Sequence, residues 1–194
     1  VFDGTKRGRL YKESGKPKPL SVYGKSKLKG EKIVLSSSKN NSVIRTIMVY
    51  SSDYAHKSDF VRLAYQKFKN KKGLEGIEDQ TFNPTFVDDL VFAISIILKN
   101  HAKGIYHVAA KDFTTNYLFL KKIAEVFKFD SSLITKVKFK DFFKDKIAPR
   151  TQYSVLDTTK FQKNFGKNSL KTIDESLKEF KKQIKTREAL AANR

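Results

Sequence analysis

A tyrosine followed four residues later by a lysine occurs three times in this chain: Tyr23 with Lys27, Tyr65 with Lys69, and Tyr117 with Lys121. Such a pair suits one kind of chemistry. Hydride delivered to a ketone leaves an alkoxide, and a phenol beside that oxygen must hand over a proton. A free phenol ionises near pH ~10, and an ammonium one helical turn away favours its ionised form. Lysine is so abundant here, within 40 Lys and Arg, that the spacing alone selects no copy. Context does. Tyr65 and Tyr117 fall inside amphipathic segments, where an i,i+4 Tyr/Lys pair is ordinary surface packing. Tyr23 opens a helical segment after a loop containing Pro17 and Pro19 and just before an apolar strand. Its hydroxyl can therefore project from the carboxyl edge of a sheet, where ligands bind in α/β proteins. Lys27, on the same helix face, can also donate to ribose hydroxyls.

The elements that must hold this pair follow from local pattern. Residues 1–21 read as a basic, turn-rich loop, and a helix is expected over Tyr23 to Leu35. Val43 to Tyr50 is a β-branched apolar run of the kind that forms a buried parallel strand. Ser58 is expected to cap a helix with Phe60, Val61, Ala64 and Phe68 on its apolar side. Leu74 to Gln80 reads as strand and turn. Thr85 is placed to cap a helix running from Phe86 to Lys99, whose nearly continuous apolar surface predicts deep burial. Ile105 to Ala109 is a second short β run. A helix begun at Thr114 or Thr115, a strand over Val137 to Phe139, a helix around Phe142 and Phe143 and a short helix from Asp157 follow. The last helix opens on the capping box Thr172-x-x-Glu175. Strands alternating with helices make this an α/β protein with a parallel sheet.

Bulk composition excludes several functions. The 194 residues contain no cysteine, so thiolate catalysis, disulfides and Cys-based metal sites are ruled out. His56, His101 and His107 lack ligand spacing, and no metal site is expected. The longest apolar run, Leu90 to Leu98, is far short of a bilayer span, so no membrane association and a cytoplasmic location are expected. The net charge of +20 invites a nucleic-acid reading. Its distribution argues against one, because the lysines lie along nearly every polar helix face, many beside Glu or Asp. No helix-turn-helix, RNA-binding or zinc-finger signature accompanies them.

Five collinear segments carry a resemblance. They are Val1-Phe2-Asp3-Gly4 with Tyr11, Glu13 and Pro19-Leu20-Ser21-Val22-Tyr23-Gly24-Lys25-Ser26-Lys27-x-x-Gly30-Glu31; Ile44-Arg45-Thr46 with Val49-Tyr50; Asp79-Gln80-x-x-x-Pro84-Thr85; Gly104 to Ala109; and Ala148-Pro149-Arg150 with Ser154-x-Leu156-Asp157-x-x-Lys160. Together they resemble the dTDP-4-dehydrorhamnose reductases and related sugar-nucleotide reductases, extended short-chain dehydrogenases, from Val1 to about Lys185. The same motifs also resemble the regulatory β subunit of methionine adenosyltransferase, a binding module of the same fold.

The resemblance implies the C-terminal part of a Rossmann-type doubly wound parallel sheet with a smaller α/β substrate domain. Residues 1–73 and about 86–110 would supply the Rossmann-type elements, about 74–85 and 111–185 the substrate-binding region, and 186–194 a tail. It implies NADPH or NADH as cofactor and a nucleotide sugar as substrate, and it leaves a homodimer open. Tyr23 would be the proton donor and Lys27 the residue that tunes it and holds the cofactor, with Arg45 and Thr46 also on the cofactor. Met48, Gln80, Asn83, Thr85 and Arg150 would face the substrate. Gln80, Asn83 and Thr85 serve equally as a turn and cap, Met48 as core filler, and His107 as a core histidine. The sequence departs from the family pattern where Ile47-Met48 stand for Ser-Trp, Ser51 for Gly, and Thr151 for the Pro after Arg150. The chain opens on Val1, without Met, in what reads as the tail of a strand, and the glycine-rich phosphate turn is absent. An N-terminal half is therefore expected ahead of it.

Overall fold

Helix signals in this sequence are local and strong, whereas its strand signals are short, and the architecture reflects both. A computed structural model describes residues 1–53 and 58–192; His56 lies outside the described residues. The first helix, α1 (Val22–Ser37), starts where Ser21 adopts extended backbone and its hydroxyl accepts from the Gly24 amide at 3.0 Å. After it come β1 (Ser42–Arg45) and β2 (Val49–Tyr50). The run from Val43 to Tyr50 is thus two strands, not one. The break falls at Met48, whose φ of 44° turns the chain through the left-handed region.

Next come α2 (Phe60–Lys69), β3 (Leu74–Ile77), β4 (Thr81–Phe82), β5 (Thr85–Phe86) and α3 (Val87–Lys99). Asp59, not Ser58, caps α2, accepting from Arg62 N at 2.9 Å. Thr85 does not cap α3 either. Its side chain is buried and hydrogen-bonds Ile47 O, and Phe86 at the cap position makes no side-chain bond. The deep burial expected of α3 holds for one side only. Ala93 and Ile97 are buried, whereas Val91, Ile94 and Leu98 face outward, Leu98 at 68% exposure.

The remaining elements are β6 (Gly104–His107), β7 (Thr114–Thr115), α4 (Asn116–Phe127), β8 (Ile134–Val137), α5 (Phe139–Phe142), β9 (Tyr153–Ser154), α6 (Thr159–Phe165) and α7 (Ile173–Ala192). Thr115 caps α4. The Thr172/Glu175 box closes reciprocally, Glu175 N donating to Thr172 Oγ1 and Thr172 N to Glu175 Oε2. Helix α7 runs on to Ala192, so the segment after Lys185 continues the helix.

The strands pair β1 with β6, β2 with β5, β3 with β8 and β4 with β9, all parallel, and β4 with β7 antiparallel. The α/β expectation holds. Among the described residues two large apolar cores organise these pairs, beside a small cluster of Phe2, Tyr11 and Leu156. The larger joins Tyr50, α2, α4 and α7 through Phe68, Phe82, Phe119, Leu120, Leu177 and Phe180. The smaller packs α3 and α6 on β1 and β6 through Ile44, Ala93, Ile97, Tyr106 and Phe161. Above it, the carboxyl ends of β1 and β6 meet at the register pair Arg45 and His107. No helix among the described residues is long and apolar enough to cross a membrane.

Candidate active site

A cavity of about 660 Å³ opens at the carboxyl end of β1. Its walls come from three places in the chain. The start of α1 and the loop before it contribute Pro19, Ser21, Tyr23, Gly24, Lys27 and Glu31. Strand β1 and the bend after it contribute residues 43–48, and the segment before β9 contributes Pro149, Arg150 and Thr151. Phe2 and Tyr11, stacked with ring centroids 4.4 Å apart, complete the wall.

Tyr23 stands at the mouth, 72% exposed, and the Lys27 ammonium lies 5.3 Å from its ring centroid. Neither the phenol oxygen nor the ammonium has a hydrogen-bond partner among the described residues, so both are free to meet a ligand. The first turn that carries Tyr23 is tightly seated. A Cβ on Gly24 would come within 2.9 Å of the Pro19 ring, so only glycine lets the proline loop close against the helix start. The other two Tyr/Lys copies lie elsewhere. The Tyr65 hydroxyl donates to Glu188 Oε1, an acceptor it shares with Lys69, and Tyr117 packs over Gly76 of β3.

Arg45 reaches the cavity floor, but its guanidinium is engaged. Nε and Nη2 form a bidentate pair with the two oxygens of Glu31, at 2.9 and 2.7 Å. Nη1 lies 3.5 Å from His107 Nε2, and the guanidinium carbon sits 5.1 Å from the Phe2 ring centroid. Arginine only donates, so Nε2 is the accepting atom of this long contact, while Nδ1 is buried without a hydrogen-bond partner among the described residues. Burial pushes the His107 pKa down; Glu13 opposes this and Arg45 reinforces it. Neutral imidazole is therefore the form this site selects. The Thr46 hydroxyl donates to Thr85 Oγ1 at 2.7 Å, which leaves its lone pairs to accept. Arg150 is exposed on the rim and makes no ion pair among the described residues.

Six of the nine residues selected from sequence line this one cavity: Tyr23, Lys27, Arg45, Thr46, Met48 and Arg150. Gln80, Asn83 and Thr85 do not. Asn83 is buried beneath it, donating to Ala110 O and Leu156 O and accepting from Leu156 N. Thr85 bonds Ile47 O and accepts from Ile47 N, and Gln80 Nε2 donates to Thr151 O. These side chains brace the backbone of two cavity walls. Glu31 is the site residue that sequence reasoning misses; its signal is its place four residues after Lys27, as the one acid on a helix bearing Lys25, Lys27, Lys29 and Lys32. No group of three or more His, Asp or Glu among the described residues could hold a metal ion.

Comparison with known proteins bears on the family and the fold. A dTDP-4-dehydrorhamnose reductase of Aggregatibacter actinomycetemcomitans is 32% identical over 177 residues, 86% of this chain and 58% of that protein. The methionine adenosyltransferase 2 subunit beta of Xenopus tropicalis is 32% identical over 139 residues, 68% of this chain and 41% of that protein. A dTDP-4-dehydrorhamnose reductase from Bacillus anthracis, solved in complex with NADP, superposes with a TM-score of 0.83 at 26% identity, covering 93% of this chain and 61% of that one. The chain thus spans less than two thirds of the length of each. Its residues 1–186 match the RmlD substrate binding domain, and the chain belongs to that family.

Proposed function

We propose that this chain carries the proton donor and the substrate side of an NAD(P)H-dependent reductase. Its substrate is a keto group on a nucleotide-activated sugar, as in the dTDP-4-dehydrorhamnose reductases. One observation carries the reading. Of three Tyr/Lys copies, only Tyr23/Lys27 opens into the cavity at the carboxyl end of β1, with both polar ends unclaimed. NADPH or NADH, when bound, supplies the hydride. The donor set fits such a group, because the Lys27 ammonium is free for ribose hydroxyls and Thr46 retains acceptor capacity. The Arg45 guanidinium is paired with Glu31, and this reading assigns it to holding the cavity wall in place of the cofactor contact expected of it. Tyr23 delivers a proton to the nascent alkoxide, Lys27 supports it electrostatically, and Arg150 meets the diphosphate as a planar, permanently charged donor.

The test is consumption of NAD(P)H that depends on dTDP-4-keto-6-deoxy sugar, measured on the full-length protein. Tyr23→Phe is expected to lower kcat by about a hundredfold or more, the scale of a lost general acid. Tyr117→Phe, remote from the cavity, should leave it unchanged. Equal activity of Tyr23→Phe and wild type overturns the assignment. Cofactor binding with no turnover of any keto sugar would instead favour a regulatory role like that of the methionine adenosyltransferase β subunit.

A further inference from the structure

Tyr23, Lys27 and Glu31 succeed one another at four-residue intervals and so share one face of α1. The seat of Gly24 against Pro19 holds its first turn, and the half-buried Leu28 and Leu35 lie on the same side as Glu31. Of its sixteen residues only Gly24 is buried, while Val22, Ile33 and Val34 point to solvent. Among the described residues this apolar contact is modest. A polar attachment is added to it. The Glu31 side chain is 10% exposed and that of Arg45 6%, and the fork-to-fork pair between them is directional as well as strong. Arg45 is itself fixed from two sides, by the Phe2 ring and by neutral His107 across the β1–β6 register.

We propose that Glu31 and Arg45 are a positioning pair, clamping α1 to β1 so that Tyr23 and Lys27 face the cavity at the required angle and depth. Arg45 then acts on the reaction through Glu31 and the helix, not by contact with the cofactor. Because a displacement of about 1 Å in a catalytic group can cost about a hundredfold in rate, a clamp two turns away governs kcat.

The kinetic arm of the test rests on the reductase reading; the exchange arm does not. In Glu31→Gln and Arg45→Met, hydrogen exchange of the amides over 22–37 is expected to quicken, with the β1 and β6 amides still protected. In Glu31→Gln, kcat should fall about tenfold or more, with the KM for the keto sugar within about twofold of wild type. If Arg45→Met does not fold, Arg45→Lys replaces it, since it keeps the charge and loses the fork; the same α1 loosening is expected. Unchanged α1 exchange in the folded variants overturns the proposal even if the protein proves not to be a reductase. A rise in the KM for NADPH alone, with kcat intact in Arg45→Lys, also overturns it by making Arg45 a cofactor contact. A wild type inert toward keto sugars sinks the reductase reading and leaves the clamp to be judged on exchange.

Discussion

His107 shows how a single buried residue ties the site to the stability of the fold. It is fully buried, its backbone N–H donates to Glu13 Oε1 at 2.9 Å, and its Nε2 faces Arg45. Burial holds its pKa below the ordinary 6.5, with Arg45 acting in the same direction and Glu13 against both. The unfolded chain therefore binds this proton more readily than the folded one. Stability from the neutral ring is present in full above pH 6.5 and is lost as pH falls through the folded-state value. Urea unfolding from pH 8 downward should show wild type weakening below about pH 6.5, with a shallower acid slope for His107→Gln. Identical slopes in the two proteins would mean that other groups dominate the acid limb.

At the scale of elements, the first turn of α1 owes its start to Ser21. Replacing Ser21 with Ala removes the acceptor for the Gly24 amide, a loss of about 1 kcal/mol, or about 2–4 °C in Tm for a chain of this size. Exchange at the Gly24 amide should accelerate most; if it does not, the hydroxyl is not the cap. Caps of this kind explain what the sequence made legible. Helices α1, α2, α4 and α7 were readable because periodicity and caps act within a few residues of one another. Two-residue strands were not, because β4 exists only through pairing with Thr114–Thr115 and Tyr153–Ser154, far along the chain. The break at Met48 was hidden for a related reason, since nothing in a β-branched run marks a positive φ. The outward stripe of α3 escaped because composition reports how apolar a helix is, not how many of its sides have partners. The Asn83-Pro84-Thr85 turn was ambiguous by nature, as the polar groups that brace a loop are the same types that bind a ligand.

For the whole molecule the deciding quantity is charge. With 40 Lys and Arg against 20 Asp and Glu, pairing every carboxylate would still leave 40 − 20 = 20 cations unmatched. Several ion pairs that do form, such as Lys69–Glu188 and Lys122–Asp174, are substantially exposed. Exposed pairs of this type contribute at most about 1 kcal/mol each. Against them stands the mutual repulsion of the excess lysines, which opposes the compact state because folding brings these charges together. Added salt weakens both effects, but the excess cations interact over longer distances than paired charges, so screening should relieve repulsion more than it costs in attraction. Raising NaCl from roughly 0.01 M to roughly 0.15 M shortens the screening length from about 30 Å to about 8 Å. Over that range the melting temperature should rise by a few degrees, measured by circular dichroism at fixed pH. A flat melting temperature would show that the ion pairs balance the repulsion, and a falling one that they outweigh it.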